Sequence, residues 1–358
     1  MSDASPLGGE SLPASGRSQR HVRVLGVLGS WDVIVLLAVV VVAVVGAFTI
    51  DGVASPRFWR FVTLEAVPIL LIALPMTLVV VTGEIDLSVA SVLGLSCTVL
   101  GKLWASGVTS LPLLIAAALV LGGLLGAVNG LFITGFGLPS LAVTIGTLAM
   151  YRGLAYVVLG DKAVANYPPS WTTTAVKPLA GTTIPWVILV VAGLAVVFGI
   201  VLHATPVGRG LYAIGNNAEA ARFAGINVRL TKFWLFVATG AMSALAGVFW
   251  TLRFASARAD NGTGIELAVV AAVLLGGVSI FGGRGGLVGV LAAVALLGVL
   301  RNALQLASVP ANTLTIITGS LLIASVVGPN VVAMLRERLR RRRPASVRPT
   351  APPLPHTS

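Results

Sequence analysis

Charge is what this sequence has least of. Only 10% of its 358 residues are Asp, Glu, Lys or Arg, against roughly 25% in soluble domains. So few ions cannot cover the surface of a folded soluble chain of this length, which excludes a cytosolic enzyme. A chain that is 56% hydrophobic is not disordered either. Cysteine is nearly absent: Cys97 stands alone in an apolar run, closes no intrachain disulfide and offers no metal-ligand spacing. The three histidines, His21, His203 and His356, are scattered. No HExxH, no GxSxG and no Walker sequence GxxxxGK[ST] occurs. Nothing assembles a catalytic centre, so the chain reads as a non-enzyme that binds no metal or cofactor itself. Any energy for pumping comes from ions or from another subunit.

What remains is a polytopic all-α membrane bundle with a mean hydropathy of +0.98. A bilayer core of about 30 Å needs around 20 apolar residues as a helix. The apolar runs give ten spans: 33–50, 66–83, 87–105, 111–134, 140–159, 184–203, 233–252, 266–281, 286–306 and 312–327. Strands of a barrel would be about ten residues long and alternating, and no such pattern occurs. With both termini inside, inner segments hold fifteen Lys and Arg and outer segments seven, which predicts cytoplasmic termini. Residues 1–30 read as a disordered cytoplasmic tail without a signal peptide. Residues 31–330 form the transmembrane domain, and 331–358 a basic cytoplasmic tail. The net charge of +12 is concentrated there, from Arg336 to Arg343. That position points to an anionic lipid surface of the bilayer and not to nucleic acid.

Glycines cluster where helices would approach closely: Gly122 and Gly123 with Gly126 and Gly130, Gly276 and Gly277, and Gly282 through Gly289. The run Gly282–Gly286 could be imagined as a phosphate cradle, but it lacks the lysine and the preceding strand and reads as a tight turn.

Three places could carry function. The inner loop 204–232 is the longest on its side. Within it Asn217 suits an N-cap, Glu219 a first turn and Gly225 a helix stop. The result is a helix of about two turns with Ala220, Ala221, Arg222 and Phe223, too short to stand alone. Either it packs on its own bundle or it docks a cytoplasmic partner. The second place is the break Glu84-Ile85-Asp86-Leu87-Ser88 between two spans. Asp86 or Ser88 caps the next helix, or Glu84 or Asp86 lies along a translocation path or gate. Glu266, at the head of a span, has the same two readings. Third, Asn129, Thr144 and Thr147 are polar residues in apolar spans. They line a path or hydrogen-bond between helices.

These same residues carry a resemblance. Gly83 through Ser91, Asn129-Gly130, Leu138 through Thr147, Gly208 through Asn217, Ala220 through Ile226 and Glu266 through Gly285 are similar, in order and spacing, to sugar ABC-importer permeases of the ribose type. The form Glu84-Ile85-Asp86-Leu87-Ser88 and the segment Arg253–Asp260 look most like rhamnose-type members. Autoinducer-2 and ribose branches are near neighbours. The resemblance spans roughly 31–330 and implies a division of labour in the cell membrane. An extracytoplasmic binding protein delivers a monosaccharide, a deoxyhexose or pentose. Two permease chains, identical or different, form the path. A separate ATP-binding cassette subunit uses ATP and Mg. Glu219-Ala220-Ala221-x-x-x-Gly225 matches the motif that such permeases present to the ATPase, and Asn217, Glu219 through Phe223 and Gly225 are the expected coupling residues. Glu84, Asp86, Ser88, Asn129, Thr144, Thr147 and Glu266 are the expected path or gate residues. Branched-chain amino-acid permeases, ion-coupled secondary transporters and integral membrane transferases are the competing classes.

Overall fold

A computed structural model of the chain describes residues 30–310 and, with gaps, 312–323. The expected tails 1–30 and 331–358 lie outside the described residues, Ser30 excepted, as does part of the expected last span. Among the described residues up to 310, twelve helices follow one another: α1 (Ser30–Thr49), α2 (Pro56–Val81), α3 (Val89–Ala105), α4 (Leu111–Gly135), α5 (Ser140–Leu159), α6 (Pro169–Val176), α7 (Val187–Ala204), α8 (Pro206–Asn216), α9 (Ala218–Phe223), α10 (Val228–Phe254), α11 (Ile265–Leu275) and α12 (Leu287–Leu306). Among the described residues there is no strand, only two isolated bridges, Val164 with Ala257 and Pro178 with Pro185. Seven of the helices are long and apolar enough to cross a membrane.

The centre of the bundle is α2. Every residue from Leu70 to Val81 is buried, because α7, α8, α10, α11 and α12 surround the helix. A helix apolar all round lies either in a protein core or in lipid, and here its neighbours enclose it. The outer helices turn large apolar side chains outward, among them Leu37, Val41 and Phe48 on α1, Val120 and Leu124 on α4, and Val196 and Ile200 on α7. That belt suits lipid, which leaves side chains with no need of a polar face.

Glycines set the tightest crossing. A Cβ on Gly122 would strike the Gly240 carbonyl, and one on Gly240 would strike that of Gly122. Gly126 lies equally close to the Phe236 carbonyl and Gly130 touches Phe233. Thus α4 and α10 meet backbone to backbone, as the glycine spacing predicts, while Gly123 faces only the Val237 side chain at 3.8 Å. Gly276 and Gly289 bring α11 onto α12 in the same way.

Nine of the ten expected spans coincide with described helices, with informative differences. The run 66–83 starts ten residues earlier, at Pro56, and so takes in Glu65. Its carboxylate is held there by Asn302 Nδ2 at 2.9 Å, with Arg253 Nη2 at 4.0 Å, so the charge no longer marks a helix end. The run 266–281 is corrected more sharply. Its helix ends at Leu275, and 11 residues rise about 16 Å, half of a bilayer core. Loop 204–232, expected to hold one short helix, holds two.

Candidate functional site

The end of the bundle where α2 stops and α10 starts gathers most of the expected site residues. Here α8 enters through Thr205, whose hydroxyl accepts from Gly208 N at 3.3 Å, with Pro206 at the first helical position. Gly215 of α8 sits flush against the Val81 carbonyl and Gly283. Tyr212 donates to the Gly285 carbonyl at 2.7 Å, and Gly283 N donates to the Val81 carbonyl at 2.9 Å. Gly282, Gly283 and Gly285 all have positive φ, so the 279–285 segment is a tight turn wedged between α2 and α8. With Gly283 N engaged by α2, its amide is not turned outward toward an anion.

Next comes α9, built as its sequence dictates. Asn217 Oδ1 accepts from Ala220 N at 2.9 Å, Glu219 lies in the first turn and Gly225 takes φ +86°. Ala221 corrects one expectation. It does not offer close approach to a partner but is buried at 3% exposure against Ile214 and Val228. The helix therefore rests on its own chain through Ala221 and turns Glu219, Ala220, Arg222 and Phe223 outward. Phe223 is 90% exposed.

The linker 82–88 leaves α2 at the same end, where Glu84 meets Lys232 of α10. Asp86 is buried, and its Oδ1 accepts from Ser88 N at 2.9 Å and from Ser88 Oγ at 2.6 Å. Burial pushes the Asp86 carboxyl above the ordinary aspartate range, and the Ser88 bonds pull it back down. Ser88 precedes α3 but its side chain caps no amide; it hands its hydroxyl to Asp86 and accepts from Asn129 Nδ2 at 2.8 Å. Asn129 Oδ1 in turn accepts from Tyr151 at 3.4 Å. Ile85 N donates to Ser140 Oγ at 3.2 Å, and Thr144 donates to the Ile85 carbonyl at 3.4 Å. Thr147, buried, donates to Thr144 O at 3.4 Å. So Asp86, Ser88, Asn129, Thr144 and Thr147 are brought together, and they join α3, α4 and α5 by hydrogen bonds. Replacing Asn129 by leucine strands the Ser88 hydroxyl from α4. The expected cost is about 1–3 kcal/mol, read as a lower Tm in detergent; an unchanged Tm would show that the bond holds nothing.

Glu266 stands apart, in the first turn of α11, with Oε2 buried and making no hydrogen bond. The segment 255–264 that leads to it is not helical. It runs from the far end of α10 back to α3, where Gly262 packs on Leu93 and the Asn261 carbonyl lies beside Gly94. Arg152 of α5 explains how this backbone is tolerated inside the bundle. Its guanidinium donates to the carbonyls of Ala259 at 2.5 Å, Asn261 at 2.9 Å and Ala90 at 3.1 Å. Irregular backbone at membrane depth needs such internal partners.

The sequence profile described as "Branched-chain amino acid transport system / permease component" matches residues 58–326. The chain belongs to this permease family. The permease is also 35% identical over 326 residues to the autoinducer 2 import system permease protein LsrD of Escherichia coli strain K12, covering 87% of this chain and 96% of the relative. The proteins of the same name from Shigella flexneri and Escherichia coli O157:H7 match to the same extent. No solved structure gives a significant match. Membership makes the permease a multi-pass inner-membrane protein, as the apolar helices require. Two groups important to its geometry had no signal in the sequence. Lys232 belongs to no motif in the sequence, yet it pairs with Glu84. Arg152 belongs to none either, and the carbonyls it holds lie up to 109 residues away. Only a charge inside an otherwise uncharged run could have flagged it.

Proposed function

We propose that the permease is the membrane path of an ATP-driven importer of a neutral monosaccharide, a deoxyhexose such as rhamnose or a pentose. An extracytoplasmic binding protein delivers the sugar and a second permease chain completes the path. ATP and Mg are used by a separate ATP-binding cassette subunit, seated on Glu219, Ala220, Arg222 and Phe223 of α9, which face the cytoplasm together with both termini. The observation that carries this reading is Phe223, bare on a helix that Asn217, Ala221 and Gly225 hold rigid. Asp86, Ser88, Asn129, Thr144 and Thr147 form the closed gate, and Glu266 offers a free carboxylate oxygen to a substrate hydroxyl. Only 10% of the residues are charged, which suits an uncharged cargo.

A deletion strain grown on single sugars tests the cargo. Growth should fail on one deoxyhexose or pentose, with uptake of autoinducer 2 and of leucine, isoleucine and valine unchanged. The autoinducer deserves its arm because the 35%-identical relatives carry its name. The amino acids deserve theirs because the family profile does. Normal growth on every sugar with either of those uptakes lost would replace the sugar by that cargo.

A further inference from the structure

The ion pair between Glu84 and Lys232 joins segments 148 residues apart. Both side chains are largely shielded, at 17% and 15% exposure, so solvent and salt screen the pair weakly. Its position is unusual in both directions. Lys232 sits one turn into α10, whose start is fixed by Asn227 Oδ1 accepting from Leu230 N at 3.1 Å. Val228, one turn before Lys232, packs on Ala221 of α9. Anything that displaces α9 therefore displaces the first turn of α10. On the other side, Glu84 opens the 84–88 stretch. Ile85 is bonded to Ser140 and Thr144 of α5, and Ser88 to Asn129 of α4. At its head the linker is tied back to α2, Gly83 N to the Val80 carbonyl at 2.9 Å and Glu84 N to the Val79 carbonyl at 3.3 Å, with Gly83 at φ +80°.

We infer that Glu84 and Lys232 are positioning residues that carry movement of α9 into the linker 82–88 and from there to the start of α5. The pair is suited to this task because a shielded ion pair resists separation in every direction, whereas an apolar contact slides. The neighbouring route, from Gly215 of α8, reaches the last turn of α2 at Val81 and, through Gly282, the backbone of Gly83; it is a contact of backbones and holds no charged pair. Without the Lys232 contact, only these backbone contacts would connect the loop 204–232 with the linker. This inference rests on the docking role proposed for α9, and the test separates the two.

The complex of the permease with its ATPase subunit is followed by amide hydrogen exchange, with and without ATP and vanadate. In the natural protein, nucleotide should change exchange at residues 206–227 and, by roughly tenfold, at 82–88. In Lys232→Glu and in the milder Lys232→Gln, the response at 206–227 should persist, and that at 82–88 should fall below about twofold. The reversed pair, Glu84→Lys with Lys232→Glu, should restore the linker response, which a merely destabilised linker would not do. An equal linker response in the natural protein and in Lys232→Glu overturns the inference, as does a reversed pair that stays silent. Loss of the ATPase from the natural permease, or no response at 206–227, overturns the docking role itself.

Discussion

Replacing Phe223 by glutamate releases the ATPase subunit and abolishes uptake while the permease stays in the membrane. Phe223 is 90% exposed, so its own fold loses nothing when the ring goes. A central aromatic anchor typically contributes about 2–4 kcal/mol to a protein interface. Burying an uncompensated carboxylate in its pocket adds several kcal/mol more. At about 1.4 kcal/mol per tenfold in affinity, the association falls by three orders of magnitude or more. Co-purification of the ATPase, measured beside membrane abundance, reads the effect. Ala221→Glu would be a poorer probe, because Ala221 is seated on Ile214 and Val228; that change unseats α9 from its own chain and confuses folding with docking. Normal ATPase retention and normal uptake in Phe223→Glu would return α9 to a packed linker with no partner.

Gly240→Leu should prevent the bundle from assembling. Its Cβ would strike the Gly122 carbonyl and lie 2.9 Å from Gly126 N. Both are backbone atoms of α4, so no rotamer change relieves the clash and the helices must separate. Overpacking in cores costs about 1–3 kcal/mol when side chains can give way. Here it reaches the upper tail of single substitutions, above about 4 kcal/mol. Gly123→Ala is the control. Gly123 meets only Val237 Cγ1 at 3.8 Å, and the added methyl favours the helix by nearly 1 kcal/mol. In detergent, Gly240→Leu should aggregate or lose its thermal transition, and Gly123→Ala should keep both the monodisperse peak and the Tm. A well-folded Gly240→Leu would mean that α4 and α10 do not need this approach.

The family relation gives these variants their meaning, but much of the geometry came from shorter-range facts. The α9 helix was legible residue by residue, since Asn217 as cap and Gly225 as stop act on neighbours within four positions. The α4–α10 contact was legible in part. The spacing of Gly122, Gly126 and Gly130 marked one face of α4 without saying which helix would meet it. The extent of α2 was misread because Glu65 looked like a boundary, and its partners Asn302 and Arg253 lie far along the chain. The second loop helix, α8, was missed because Gly208, Gly210 and Gly215 argue against a helix by propensity. Packing on Val81 and the 279–285 turn overrides that argument.

By itself, then, the sequence determined the solvent this protein lives in, the apolar stretches that cross it and the caps of its shortest helix. Each of these depends on composition or on residues a few positions apart, and a hydrophobic run must leave water whatever surrounds it. Tertiary structure alone decided that α11 stops half-way, that Arg152 donates to two carbonyls of the returning segment and to that of Ala90 on α3, and that Glu84 meets Lys232. Those outcomes join residues 62 to 148 positions apart. No local preference encodes them, because each buried polar group takes whichever partner the packed helices bring within hydrogen-bond reach.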